Sequence, residues 1–242
     1  VFGGCVEDIF TLVGSLVVVI SGAGGIDTID LLSGQSGNVL GGLGDDIITL
    51  DGATVSGIIA EDGNDTINLV SGQSDSVTAG GGTDLITLDD AVVNGFIQGN
   101  AGDDEIELNG GTVTGDVDGG DDNDDIVVLG ASVGGDVLGG AGDDFLGVGD
   151  GSVAGSLLAG DGNDSLILAG GEVGGNLQGD AGDDFVLMQG GALVGNAEGG
   201  TGDDTVVMIG GEVGGNVDGG DDDDLIGVFS GSVAGDVLGG LG

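Results

Sequence analysis

The chain has 242 residues, 44 of them Asp or Glu, with no Lys, Arg, His or Pro and a formal charge of −44. Lacking any cationic side chain, it has nothing to offer the phosphates of nucleic acid or an anionic membrane, and no apolar run approaches the ~18 residues of a membrane span. Such charge with few aromatics usually marks disorder, but an apolar content of 39%, mostly Val, Ile and Leu, alongside 62 Gly predicts short strands alternating with glycine-rich turns.

Read from the N-terminus, one Asp sets a register: Asp8, Asp27, Asp46, Asp65, Asp84, Asp104, Asp124, Asp144, Asp164, Asp184, Asp204, Asp224. The spacing is 19 residues as far as Asp84 and 20 beyond it. No linker interrupts these twelve units, so we expect residues 1–242 to form one continuous repeat domain. Each unit begins at an apolar position seven residues before the Asp, from Val1 and Ile20 through Val117 to Val217. A Gly or Ala follows two residues later, as in Gly41, Ala60 and Gly139. Two and four residues after the Asp every unit is apolar again, as in Ile48 and Leu50 or Val206 and Met208. That alternation is the signature of a strand with one buried face. Nine residues after the Asp comes a looser apolar position, with Ser36 and Ser74 as exceptions.

Four small apolar side chains per unit cannot form a core alone, but stacked repeats can. The expected fold is therefore all-β: a single parallel β-solenoid of about twelve turns, rising about 4.8 Å per turn. In the longer units after the first the additional residue is polar: Asp116, Asp136, Ser156, Asn176, Asn196, Asn216 and Asp236. It predicts a wider corner and an undisturbed core.

Glycines before the Asp permit a tightly curled backbone whose carbonyls converge, and the Asp adds a carboxylate. Hard oxygen donors at such a turn suit Ca²⁺, whereas zinc and copper lack His or paired Cys ligands here. The candidate metal ligands are Asp27, Asp46, Asp65, Asp84, Asp104, Asp124, Asp144, Asp164, Asp184, Asp204 and Asp224. The preceding residue adds a second oxygen column: Asp45, Asn64, Asp103, Asn123, Asp143, Asn163, Asp183, Asp203 and Asp223. Carboxylates 4.8 Å apart repel by roughly 0.9 kcal/mol even in water. About eleven divalent ions, one per gap between turns, would cancel about 22 of the 44 charges.

The nonapeptide Gly139-Gly140-Ala141-Gly142-Asp143-Asp144-Phe145-Leu146-Gly147 resembles the repeats-in-toxin (RTX) calcium-binding motif GGxGxDxUx, as does Gly199 to Val207. The stretches starting at Gly41, Gly99 and Gly179 are similar. The resemblance implies a parallel β-roll with calcium between turns, held by the Asp side chains and turn carbonyls. It also implies secretion and folding on meeting extracellular calcium. Unlike that family, each turn here has one nonapeptide and one Gly-x-Val-x-Gly segment, so we expect metal on one edge only. The first two turns should be weakest, because Cys5-Val6-Glu7-Asp8 lacks glycines and Ile26 replaces an oxygen. Asp122 and Asp222 also depart from the pattern by replacing a Gly.

Outward positions after the Asp are polar early (Thr11, Asp30, Thr49) and apolar late (Val127, Ile167, Leu187, Val207, with Phe185 and Phe229 nearby), which predicts lateral self-contact. No leader is legible and neither end carries a polar cap. We therefore expect either further repeats beyond this segment or head-to-tail stacking. Cys5 is the only cysteine; a small buried hydrophobe is the favoured reading and an intermolecular disulfide the other.

The function expected is an extracellular or cell-surface structural protein: a filament, surface layer or adhesin stalk, with no small-molecule substrate. The alternative is the repeat region of a larger secreted toxin, protease or lipase. Ice binding would want a Thr array on every turn, but Thr11, Thr49 and Thr87 occupy alternate turns and then stop. No enzyme is expected, since twelve copies of one carboxylate describe a scaffold and an active site is normally singular.

Overall fold

A computed structural model describes residues 1–240. They form a parallel β-solenoid whose 31 strands pair with their equivalents one turn away. Phe145 lies beside Ser165, and Leu146 beside Leu166. Beyond Asp84 each full turn has three strands. A long strand follows the column Asp, as in Phe145–Val148; a short one comes next, as in Ser152–Val153; a leading strand, as in Leu157–Asp161, climbs to the next Asp.

The change of period is visible in the backbone. In the early turns the short and leading segments run as one strand, Ser15–Gly24 and Gly34–Leu43, and Ile47–Asp62 joins all three. They are already apart at Thr66–Ser74 and Val77–Gly81, and after residue 84 the additional residue lies between them. It also builds its own polar ladder: the N–H of Asp136 donates to Asp116 Oδ1 at 2.9 Å, and that of Asn196 to Asn176 Oδ1 at 2.9 Å. The wider corner expected of this residue is therefore a hydrogen-bonded one.

The interior is a continuous aliphatic column. Ile29, Ile48, Ile67, Ile86, Ile106 and Ile126 are fully buried, one above another, with Leu31, Leu50, Leu69, Leu88 and Leu108 beside them. Such stacks suit β-branched and branched side chains on a pleated surface, and each buried one contributes about 1.5–3 kcal/mol. Two smaller inward columns went unread in the apolar periodicity. One lies seven residues after the Asp (Ala53, Ala91, Ala131) and one five residues before it (Gly41, Ala60, Ala79, Gly139). Their side chains are too small to register as hydrophobic signal.

Cys5 corrects an expectation. It is exposed and free, because it stands three residues before the Asp, at a position that faces outward in the turns above, as with Leu43. Of the late apolar positions Phe185 and Phe229 are exposed, with Leu129, Ile209 and Leu225, whereas Val127, Ile167, Leu187 and Val207 are half-buried.

Candidate metal centre

The glycine-rich corner divides its work among three positions. The residue four before the Asp and the residue two before it both have positive φ, as in Gly140 (121°) and Gly142 (144°). Glycine adopts these angles without strain. The residue five before the Asp does not. Its smallness serves another purpose: a Cβ added at Gly99 would collide with Asp104 Oδ2 and with the carbonyl oxygen of Gly119 in the next turn. The same holds at Gly139, between Asp144 Oδ2 and the Ala159 carbonyl, and at Gly179. In the glycine turns this position is open to the carboxylate, while Ala60, Ala79 and Ala159 hold a buried methyl at the same place beside an equally buried Asp, so what the turns share is a small residue.

The corner's amides explain where each carboxylate points. Two consecutive N–H groups, on the Asp and on the residue before it, find no backbone carbonyl, and both are taken by side chains. The N–H of each column Asp donates to Oδ1 of the Asp one turn later, from Asp8 with Asp27 to Asp204 with Asp224, at 2.6 to 3.0 Å. This ladder lies inside. Asp27, Asp46, Asp65, Asp84, Asp104, Asp124, Asp144, Asp164, Asp184 and Asp204 are all buried.

The second column lies outside. Asn64 donates its N–H to Asp45 Oδ1, Asn123 to Asp103, Asp143 to Asn123, and so on through Asp183, Asp203 and Asp223, at 2.7 to 3.1 Å. These side chains are exposed. The two predicted oxygen columns thus flank the backbone on opposite sides and do not converge. Among the described residues no group of three or more acidic, His or Cys side chains gathers at one point. A cation at this edge would have to draw on backbone carbonyls as well as on the inner carboxylates.

The inner column has a feature that its hydrogen bonds leave unexplained. From Asp27 to Asp224, Oδ2 has no hydrogen-bond partner and is shielded from solvent. In several turns Oδ2 and a carbonyl oxygen of the next turn are both among the atoms nearest the small glycine, and a buried acceptor without a partner needs a proton or a cation. Asp8 differs, because its Oδ2 accepts the N–H of Gly4 at 2.7 Å. In the turns carrying Asp122 and Asp222, the Cβ of Asp124 or Asp224 replaces the neighbouring carbonyl among the atoms nearest the small glycine.

Burial raises the affinity of these carboxyls for protons, the N–H from the preceding turn opposes it, and neighbouring carboxylates add to it. Asp46, Asp144 and Asp204 are pushed up to about 6, Asp65, Asp104 and Asp184 to about 7, and Asp124 to about 8. Asp84 and Asp164 are raised by the same burial.

No protein-family model matches the chain, and no curated protein matches it. Among solved structures, one with 26% identity covers 91% of this chain and 83% of its own, at a TM-score of 0.67: the crystal structure of a hyperactive, Ca²⁺-dependent, β-helical antifreeze protein from an Antarctic bacterium. The chain is similar to a calcium-dependent β-helix. That likeness fits a β-roll architecture and gives the buried Asp column a chemical context.

Proposed function

We propose that this chain is a calcium-binding structural solenoid, in which ions between successive turns hold the inner carboxylate column together. The observation that carries the reading is the column's intolerance of amide. At the outer column Asp, Asn and Thr interchange, and at the additional corner Asp, Ser and Asn do, because accepting one N–H needs only one oxygen. The inner column accepts the same kind of bond, yet it is Asp in all twelve units. Asn would keep the ladder through Oδ1 and spare a chain of charge −44 a buried ionisable group. The second carboxylate oxygen is what Asn lacks, and it is the orphaned atom. Oxygen donors of carboxylate and carbonyl type match Ca²⁺.

Oδ2 of Asp46, Asp104, Asp144 and Asp184, with the carbonyl of the small residue one turn later, would contribute to the site. Bound calcium would supply the positive charge these oxygens lack. The protein's own part is to hold Oδ1 in place from the turn below, so that Oδ2 is oriented beforehand. The outer carboxylates of Asp45, Asp103, Asp143, Asp183 and Asp203, already bonded through Oδ1, remain free to modulate the field.

Millimolar extracellular calcium suits many weak sites, and with the calcium-dependent neighbour this supports a secreted or cell-surface rod: filament, surface layer or adhesin stalk. The reading assigns no catalysis. It does not extend to ice, since the outer edge column is carboxylate and amide apart from Ile26 and a single Thr at Thr83. Circular dichroism and thermal melting with EGTA and after calcium titration test it. We expect a large calcium-dependent rise in Tm at pH 8; a fold and Tm indifferent to calcium would overturn the proposal.

A further inference from the structure

Two Asn–Gly pairs occur in the chain, Asn94-Gly95 and Asn109-Gly110. Glycine has no side chain to shield its amide nitrogen, and that nitrogen can attack the side-chain carbonyl carbon of a preceding Asn. The two pairs are closely matched. Both asparagines are exposed. Each ties its own N–H to a carbonyl of the preceding turn at 2.8 Å, Ser74 for Asn94 and Leu88 for Asn109. Each holds Nδ2 beside a carboxylate of that turn, 3.4 Å from Asp75 Oδ1 and 3.3 Å from Asp89 Oδ1 respectively.

They differ at the attacking nitrogen. The N–H of Gly110 donates to the Leu88 carbonyl at 3.1 Å, whereas that of Gly95 has no acceptor among the described residues. The equivalent glycines of later turns are all bonded: Gly115, Gly135, Gly155, Gly175, Gly195, Gly215 and Gly235 each donate to the corresponding glycine one turn earlier, at 2.7 to 3.0 Å. Gly95 stands at the foot of that ladder, because the turn before it is one residue shorter and carries Asp75-Ser76 at this corner. The additional residue of its own turn is Phe96, so the polar corner ladder also starts only one turn later, at Asp116 Oδ1. The seam between the two turn lengths therefore leaves the Gly95 amide untied. The pairs differ again at the carbonyl of the attacking amide. Thr114 Oγ1 donates to the Asn94 carbonyl oxygen, while no donor meets that of Asn109 among the described residues. A deprotonated amide shares its charge with this oxygen, so a hydroxyl placed on it favours the reactive form.

We infer that Asn94-Gly95 is a self-modifying site, which converts spontaneously to aspartyl and isoaspartyl linkages while Asn109-Gly110 is held back. Gly95 N gives its proton to solvent and bonds to Asn94 Cγ. The Cγ–Nδ2 bond breaks, and Nδ2 takes up a proton and leaves as ammonia. Water then adds to either carbonyl of the resulting five-membered imide and breaks one of its two C–N bonds. The product at position 94 is an aspartyl or an isoaspartyl residue, and no reactant other than water is consumed. Either product sets a carboxylate where an amide had met Asp75, so attraction becomes repulsion. The isoaspartyl form also adds a methylene to the backbone at the corner where the two turn lengths join.

Prolonged warming of the full chain at pH 8 in calcium buffer, with peptide mapping by mass spectrometry at intervals, tests this. We expect isoaspartate at position 94 to form at least about tenfold faster than at position 109, the combined weight of two hydrogen-bond differences. In denaturing urea the two rates should converge, since the fold imposes the difference. Thr114→Val should slow position 94 by roughly threefold or more with circular dichroism unchanged, and Thr114→Ser, which keeps the hydroxyl, should retain the rate. Asn94→Gln should abolish the modification there, because the larger ring closes slowly. Equal rates at the two positions in the folded chain, or a difference that survives urea, overturns the inference. So does a Thr114→Val chain that modifies as fast as the wild type.

Discussion

Asp143 and Asp144 are neighbours in sequence whose carboxylates bond in opposite directions along the rod. Asp144 Oδ1, inside, accepts the N–H of Asp124 from the turn before, at 2.7 Å. Asp143 Oδ1, outside, accepts that of Asn163 from the turn after, at 2.8 Å. Each inter-turn step is thus clamped from both sides of the same backbone, and only the inner clamp leaves an oxygen over.

Substitution separates the two roles. Asp144→Asn keeps the Oδ1 acceptor, so the metal-free fold should persist and be stabilised at pH 8 by about 1 kcal/mol, as a buried ionisable carboxyl is removed. It should lower calcium stoichiometry and reduce the calcium-induced rise in Tm. Asp143→Asn should change both by little, as exposed charges do. Isothermal titration calorimetry and melting curves compare them.

Without calcium, the pH dependence should run against the usual acid denaturation. The inner carboxyls hold their protons in the fold up to about 6 to 8 (Asp144 to Asp124), but lose them near 4 when unfolded. The folded state then binds more protons than the unfolded one across that window, so stability falls as pH rises. In EDTA, urea midpoints should be highest below pH 4 and decline through pH 8. Saturating calcium should remove the decline or invert it.

Left-handed corners occupied by residues other than glycine should be improvable. Ala23 has φ of 81° where other turns carry Gly42 or Gly140, so Ala23→Gly should stabilise by about 1 kcal/mol. Gly142→Ala should do the reverse and more, at 1–3 kcal/mol or above, since its Cβ would strike the carbonyl of Asp122. Chemical denaturation measures both.

The aliphatic column should be costly to breach. Ile106, fully buried between Ile86 and Ile126, should lose about 2–5 kcal/mol on truncation to Ala. The loss should persist with calcium, which marks it as packing.

The sequence made the architecture legible because its apolar positions repeat in every unit: Ile48, Ile67 and Ile86 announce one stacked column. It concealed what is small or charged inside. Gly99 reads as a turn residue, yet its part is to make room for Asp104. The burial of Asp144 was hidden because a carboxylate is ordinarily counted as surface, and Asp143 beside it truly is surface. Ligand candidates could be named from the motif, but the motif does not say that the backbone runs between them. Cys5 misled for the same reason: its residue type suggests the interior, and only its place in the register puts it outside.

Every ladder in this molecule, inner, outer and corner, joins a turn only to the turns immediately next to it. Whole turns are therefore interchangeable units of length. Loss of one 20-residue repeat, say from Asp125 to Asp144, would bring equivalent partners together at the junction and shorten the rod by about 4.8 Å. In such a fold, reach is set by the number of copies in the gene, and it can be retuned by recombination between repeats without redesigning a single contact.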